Sequence, residues 1–376
     1  MRNGNDDDEK EGRSFAGKAA LGLAAAAAAA YGVYLLGSPG RRRRPVTELG
    51  NALGLRLHYV RWRDVHYAYY SRPGSGRPIV LLHSISAVAS AHEMRPLAQR
   101  LQRATDRPIF ALEWIGFGHS DRPDISYTPE LLERQLEHFL ARHVRWSGGA
   151  DIIALSLGAA YAAGVARRRP GVAHSLVAIE PAGLGDEPDA IGRGWSRLLF
   201  TLPGVQRAFY DRLTTPDALE KFARDHLFSP GFEVPDDFVE YGAESARVEG
   251  ASRPLDDFLS GRLFPDDADD AFTRMPVPLL VLHGTSAQGR VESYTALPGI
   301  ASRPEARVEP FDTGSLPHWE QPERVMDLIT AFHDALDGDQ PGGAAPDHGA
   351  DGEDRNGADD GEFRDQVDEP EPEDAP

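Results

Sequence analysis

The chain has 376 residues, no cysteine and a formal net charge of −19. That length allows one large domain or two ordinary ones. The missing cysteine excludes disulfide scaffolds, thiolate metal sites and cysteine nucleophiles, and the acidity argues against non-specific binding to nucleic acid.

The first 18 residues, opening MRNGNDDDEKEGR, are polar and expected to be disordered. Ala19 to Gly37 is an uncharged run of 19 residues, rich in alanine and followed by Arg41, Arg42, Arg43 and Arg44. About 20 apolar residues span a bilayer as a helix. The run therefore predicts a single-pass transmembrane helix, and the four arginines place the main domain on the cytoplasmic side of the cell membrane. A cleaved signal peptide would carry its positive charge before the run. A soluble alanine-rich helix, leaving the protein in the cytoplasm, is the other alternative.

Residues 46–336 read as one α/β domain. Short apolar runs predict buried parallel strands at Ile79–His83, Ile109–Glu113, Asp151–Leu155, Ser175–Ile179 and Pro278–His283. Helical patterns fall between or after them at 92–103, 130–144, 157–168 and 321–336, and Leu57–Tyr70 reads as an antiparallel hairpin feeding the sheet. The order implies a mostly parallel central sheet with helices on both faces. Residues 181–275, with proline and glycine breaks and several helical pieces, read as a helical cap inserted at the strand C-termini, where open α/β sheets bind ligands. From Asp337 to Pro376 there are fifteen acidic and two basic residues and one aromatic, Phe363, so this tail is expected to be disordered.

The sharpest local signal is DIIALSLGAAYAAGVARR at 151–168. A strand ends at Leu155, then come Ser156, Gly158 and a helix of small residues. The turn presses backbone against its neighbours, so small residues are needed two before and two after the serine. The bland reading is an N-cap serine.

This stretch resembles the nucleophile elbow, G-x-S-x-G, of the α/β-hydrolase superfamily, with Ala154 in place of the first glycine. The resemblance covers roughly 56–336. Residues 114–123, WIGFGHSDRP, look like the loop that follows the fourth strand in that family, and His83–Ser84 stands where its members carry His-Gly. The resemblance implies an α/β-hydrolase fold, Ser156 as nucleophile, and an oxyanion hole from the backbone N–H groups of Ile85 and Leu157. Ser84 for glycine is a departure at that hole.

Two further departures fall on the triad. The family's usual carboxylate after the penultimate strand is Ala287 here, and its usual histidine after the last strand is Ser315, within GSLPHWEQP. A base is still needed to reach the serine, and an acid to hold the base. His318 is the candidate base; Glu180, ending the sixth strand, is the candidate acid, a position some haloalkane dehalogenases use. Asp312 is a lesser alternative. Of the other histidines, His119 reads as a surface or hydrogen-bonding residue, His92 starts a helix, and His283, ending a buried strand, reads as structural. No H-E-x-x-H or clustered carboxylates suggest a metal, and GFGHS is too short for dinucleotide binding, so no cofactor is expected. The expected function is serine-dependent hydrolysis of an ester, thioester or related small-molecule acyl substrate. The alternative is a non-catalytic hydrolase-fold protein at the membrane that binds a ligand or partner.

Overall fold

The structure, a computed structural model, describes residues 48–185, 205–286 and 294–338. The expected transmembrane run at 19–37, the N-terminal 18 residues and the tail beyond Gly338 lie outside the described residues. Among the described residues no helix is long and apolar enough to cross a membrane.

The described strands are β1 (Arg56–Trp62), β2 (Val65–Arg72), β3 (Ile79–Leu82), β4 (Ile109–Leu112), β5 (Ala150–Leu155), β6 (Ala173–Ile179), β7 (Leu279–Gly284) and β8 (Arg307–Phe311). They form one 8-stranded sheet in the order β1-β2-β4-β3-β5-β6-β7-β8. The β1–β2 and β2–β4 pairs are antiparallel; every other pair is parallel. Every residue of β3, β5 and β7 is buried, which is why these strands read as continuous apolar runs rather than alternating ones.

Strand periodicity splits the interior into two layers. Val80, Leu82, Ile152, Ala154, Leu176, Ala178 and Val281 face one layer, with helices α2 (Pro129–Phe139) and α3 (Leu157–Arg168). Ile79, Leu81, Ile153, Leu155, Val177, Ile179 and Leu282 face the other, with α1 (Arg95–Ala104) and the final helix. Thr128 caps α2 by accepting from the Leu131 N–H, with Pro129 opening the first turn.

Between β6 and β7 the described chain is helical: α4 (Val205–Leu213), α5 (Pro216–Phe222), α6 (Asp236–Ser245), α7 (Arg253–Leu259) and α8 (Ala268–Arg274). Tyrosines and backbone groups fasten this segment to the sheet layers. The Tyr161 hydroxyl on α3 donates to Leu263 O at 2.7 Å, the Tyr210 hydroxyl on α4 donates to Ala87 O at 2.8 Å, and the Tyr127 N–H donates to Asp257 Oδ2 at 2.8 Å. Beyond β7 come two short helices, α9 (Pro298–Ala301) and α10 (Pro317–Glu320), and the long α11 (Pro322–Gly338). The last runs two residues past the expected end, and its Asp337 pairs with Arg77 at 2.8 Å.

Candidate active site

Ser156 stands between β5 and α3 with φ 55° and ψ −125°. A left-handed backbone at a non-glycine residue is strained. Its hold comes from both sides: the Ser156 N–H donates to Ile179 O at 2.9 Å, and Ser156 O accepts from the Ala159 N–H at 3.0 Å. The elbow is tightly pressed. A Cβ at Gly158 would lie 2.6 Å from the carbonyl oxygen of His83, a backbone atom that cannot swing away. Gly158→Ala is therefore expected to destabilise the protein by about 2 kcal/mol through overpacking and to lower activity by pushing His83 and Ser84 outward. A urea midpoint equal to the wild type would contradict this.

The sheet register carries two candidate side chains and a neighbouring histidine to the C-terminal ends of the strands. Leu155 pairs with Ile179, and Ile179 with Leu282. Ser156, Glu180 and His283 are thus the next residues on three adjacent strands. Glu180 shares the serine's unusual backbone, with φ 45°. Its N–H donates to Leu282 O at 2.8 Å, and its Oε2 accepts from the Gly284 N–H at 2.9 Å. Tyr294 packs against His283 with the rings tilted by 50°, at 5.0 Å between centroids, and donates its hydroxyl to Pro181 O at 3.2 Å.

The oxyanion-hole candidates lie on the other flank. Ile85 and Leu157 are both buried. The close approach of Gly158 to His83 brings the start of α3 against the loop that holds Ile85. That loop is anchored through His83, whose carbonyl accepts from Trp114 Nε1 at 3.0 Å and whose Nε2 accepts from the Trp114 N–H at 3.2 Å. With Nε2 accepting, Nδ1 carries the proton and donates to Ser84 O at 2.7 Å.

His318 is fully buried. Its Nε2 donates to the backbone carbonyl of Glu93 at 2.9 Å, beside the Trp319 indole, which donates to the same oxygen at 2.8 Å. The Nδ1 atom is buried without a hydrogen-bond partner. Burial pushes the imidazole pKa down to about 4, so the ring is neutral at pH 7. No hydrogen bond joins His318 to Ser156 among the described residues. The expected serine–imidazole contact is thus not made here, because the carbonyl of Glu93 holds the imidazole. Asp312 is exposed and accepts from Ser286 Oγ at 2.8 Å. Ala287 lies outside the described residues. Among them no group of three or more histidine and carboxylate side chains is placed to hold a metal ion.

Two carboxylates beside the site escaped the sequence reading. Glu93 is half-buried as a residue and turns its carboxyl inward to Ser84. Glu113 is fully buried, accepts from the Ala91 N–H at 3.1 Å and lies 3.4 Å from His83 Nε2. The only sequence signal for Glu93 was a lone acidic residue within the apolar and small stretch HSISAVASAHEM.

The elbow and its strand context match a known profile, the "Alpha/beta hydrolase family", over residues 79–328. The chain belongs to the alpha/beta hydrolase family. This hydrolase is 25% identical over 224 residues to a 2-hydroxy-6-oxo-6-(2'-aminophenyl)hexa-2,4-dienoic acid hydrolase of Metapseudomonas resinovorans, covering 57% of this chain and 69% of the relative. It is 30% identical over 135 residues to a haloalkane dehalogenase of Agrobacterium fabrum, covering 35% of this chain and 37% of that one. Among solved structures it resembles a serine hydrolase involved in carbazole degradation, with a TM-score of 0.59 and 21% identity over 75% of this chain and 100% of the other. At that identity the likeness speaks for the fold.

Proposed function

We propose that this hydrolase cleaves an ester, thioester or related small-molecule acyl substrate, with Ser156 as the nucleophile. The observation that carries the reading is the serine's backbone, left-handed at φ 55° at the C-terminal end of a central parallel strand. Strain of this kind persists only where the surroundings over-determine it, and it concentrates at reactive sites. An elbow of this kind exposes a serine hydroxyl above the strand ends beside the N–H of the next residue, here Leu157, which supports the reading. Haloalkane dehalogenation is disfavoured because its nucleophile is an aspartate.

In the reaction, Ser156 Oγ attacks the acyl carbon and gives its proton to a base. The oxyanion is held by the Ile85 and Leu157 N–H groups. The leaving oxygen or sulfur departs with that proton, and water then hydrolyses the acyl-serine. His318, neutral and with Nδ1 as its one lone pair, is the base in this scheme. To serve, it has to leave or share the Glu93 carbonyl when substrate binds. Glu180 orients the base, a role supported by its position one strand from the serine. A second reading, a ligand-binding protein without turnover, is favoured by the engagement of His318 with Glu93 rather than with Ser156.

A fluorophosphonate probe separates the two. Labelling of Ser156 in the native chain, lost in His318→Ala with the fold intact, is the expected result. Glu180→Gln is expected to cost less, because a carboxylate only orients and stabilises the imidazolium. An unlabelled Ser156, with His318→Ala changing only stability, would overturn the acyl-transfer reading and leave the binding one.

A further inference from the structure

Position 84 is where a serine replaces the glycine that the oxyanion loop of this family ordinarily carries, and the structure shows how the side chain is accommodated. Ser84 is buried, so both its N–H and its hydroxyl need partners inside the protein. A single carboxylate supplies them. Glu93 Oε2 accepts from the Ser84 N–H at 2.8 Å, and Glu93 Oε1 accepts from Ser84 Oγ at 2.9 Å. The two bonds form a fork that fixes both the position and the rotation of residue 84. The peptide that follows it carries the N–H of Ile85.

Glu93 also reaches the opposite side of the site. Its backbone carbonyl is the oxygen that accepts from both His318 Nε2 and Trp319 Nε1. One residue therefore ties the loop after β3 to the loop after β8, and these two loops bring the oxyanion donor and the candidate base. The carboxyl is enclosed, and burial pushes its pKa up, against the opposing effect of the two Ser84 bonds. A buried carboxylate of this kind is costly, and an apolar side chain of similar size is often neutral or better for stability. Packing alone does not call for it.

We propose that Glu93 is the positioning residue of the oxyanion hole, its carboxylate clamping Ser84 so that the Ile85 N–H is aimed at the acyl oxygen held by Ser156. The inference rests on the acyl-transfer reading. Glu93 touches no reacting atom; it acts through Ser84 and Ile85. It explains why a serine is tolerated at a position that otherwise favours glycine: the added hydroxyl is the second handle of the clamp.

The test uses the full chain and p-nitrophenyl butyrate. Glu93→Leu keeps the bulk and removes both acceptors. It should lower kcat by about 100-fold, the loss typical of one misplaced oxyanion donor, with KM unchanged, and Tm should fall modestly because the Ser84 N–H and hydroxyl lose their buried partners. Glu93→Gln restores an acceptor for the Ser84 N–H, and the hydroxyl can rotate to accept from the amide. It should recover kcat to within about tenfold of the wild type. A carboxylate needed for its charge would lose as much in the glutamine variant as in the leucine one. Should Glu93→Leu fail to fold, Glu93→Asp keeps the charge but withdraws it by one methylene, and it should lose about tenfold or more in kcat. Unchanged kcat in the leucine or aspartate variant, or a change confined to KM, overturns the proposal. Failure of the acyl-transfer reading itself shows differently, as a wild-type Ser156 that the fluorophosphonate does not label. In that event hydrogen exchange across residues 83–86 still decides the clamp. Exchange should accelerate in Glu93→Leu, and an unchanged rate rejects the positioning role independently of turnover.

Discussion

Ser156→Ala is expected to abolish hydrolysis of a short-chain aryl ester, a loss of several powers of ten, because without the hydroxyl no acyl-enzyme forms. Ser156→Gly should be equally inactive but more stable than the wild type. At φ 55° a side chain strains the backbone, whereas glycine takes positive φ at little cost. Relief of the strain should raise the unfolding free energy by about 1 kcal/mol. The opposite signs of the two effects are the informative part. A serine that served only to cap α3 would lose stability when replaced and leave nothing to inhibit. Chemical denaturation of the three proteins, alongside turnover and probe labelling, reads both. A glycine variant less stable than the wild type would contradict the strain assignment, and a serine-free variant with full turnover would contradict the nucleophile.

The second large effect lies at the opposite end of the sheet. Asp151 lies near the start of the central strand β5, is fully buried, and accepts from His174 Nδ1 at 2.9 Å and from Ser175 Oγ at 2.6 Å. Arg107 pairs with its other oxygen. Burial alone would push this carboxyl up, but the hydrogen bonds from His174 and Ser175 and the charges of His333 and Arg107 outweigh it and hold the carboxyl well below the usual aspartate range. Removing the charge with Asp151→Asn leaves the arginine and two donors badly matched and should cost about 3 kcal/mol at pH 7. The sign of the pH dependence follows from the depressed pKa. The native state binds the proton less readily than the unfolded chain, so this stabilisation is complete above the unfolded aspartate value of about 3.9. It is lost as the pH falls towards the lower native value. The gap in urea midpoint between wild type and Asp151→Asn should therefore be full at pH 7 and narrow below about pH 4. A gap that widens in acid would show that the asparagine disturbs packing instead.

The parallel strands were legible because burial on both faces writes itself as unbroken apolar runs, and each of the five runs became a strand within one or two residues of its expected end. Strand β8 was not picked out by its run. Its sequence, RVEPF, is half-exposed at the sheet edge, and Pro310 interrupts the strand pattern. The 130–144 helix was legible as a unit, but its last turn widens into a π-helix at Leu140–Val144 that ends on Arg145 in the left-handed region, a detail of backbone hydrogen bonding that side-chain periodicity does not encode. The nucleophile was legible because the elbow compresses strand, serine, glycine and helix into a few consecutive residues. The hydrogen bonds around it were not, because they join positions far apart in sequence. Glu93 meets His318 across 225 residues, and Glu180 meets Gly284 across 104. Nothing local to either residue announces the partner, and a histidine three places from the expected one looks the same on paper whether it faces a serine or a carbonyl.

The pairing of β6 with β7 has a consequence for biosynthesis. Ile179 is joined to Leu282 across the long insertion between β6 and β7, so the β6 edge cannot be covered when it leaves the ribosome. At about 5–20 residues per second, the hundred or so intervening residues take roughly 5–20 s to appear. For that interval Leu176, Val177, Ala178 and Ile179 form the bare margin of a half-built sheet, the kind of surface that recruits other nascent chains. Glu180 acquires its Gly284 bond only when that wait is over. Codon choice and translation speed across 181–278, rather than any residue of the site, are then the levers that set how much of the chain matures instead of aggregating.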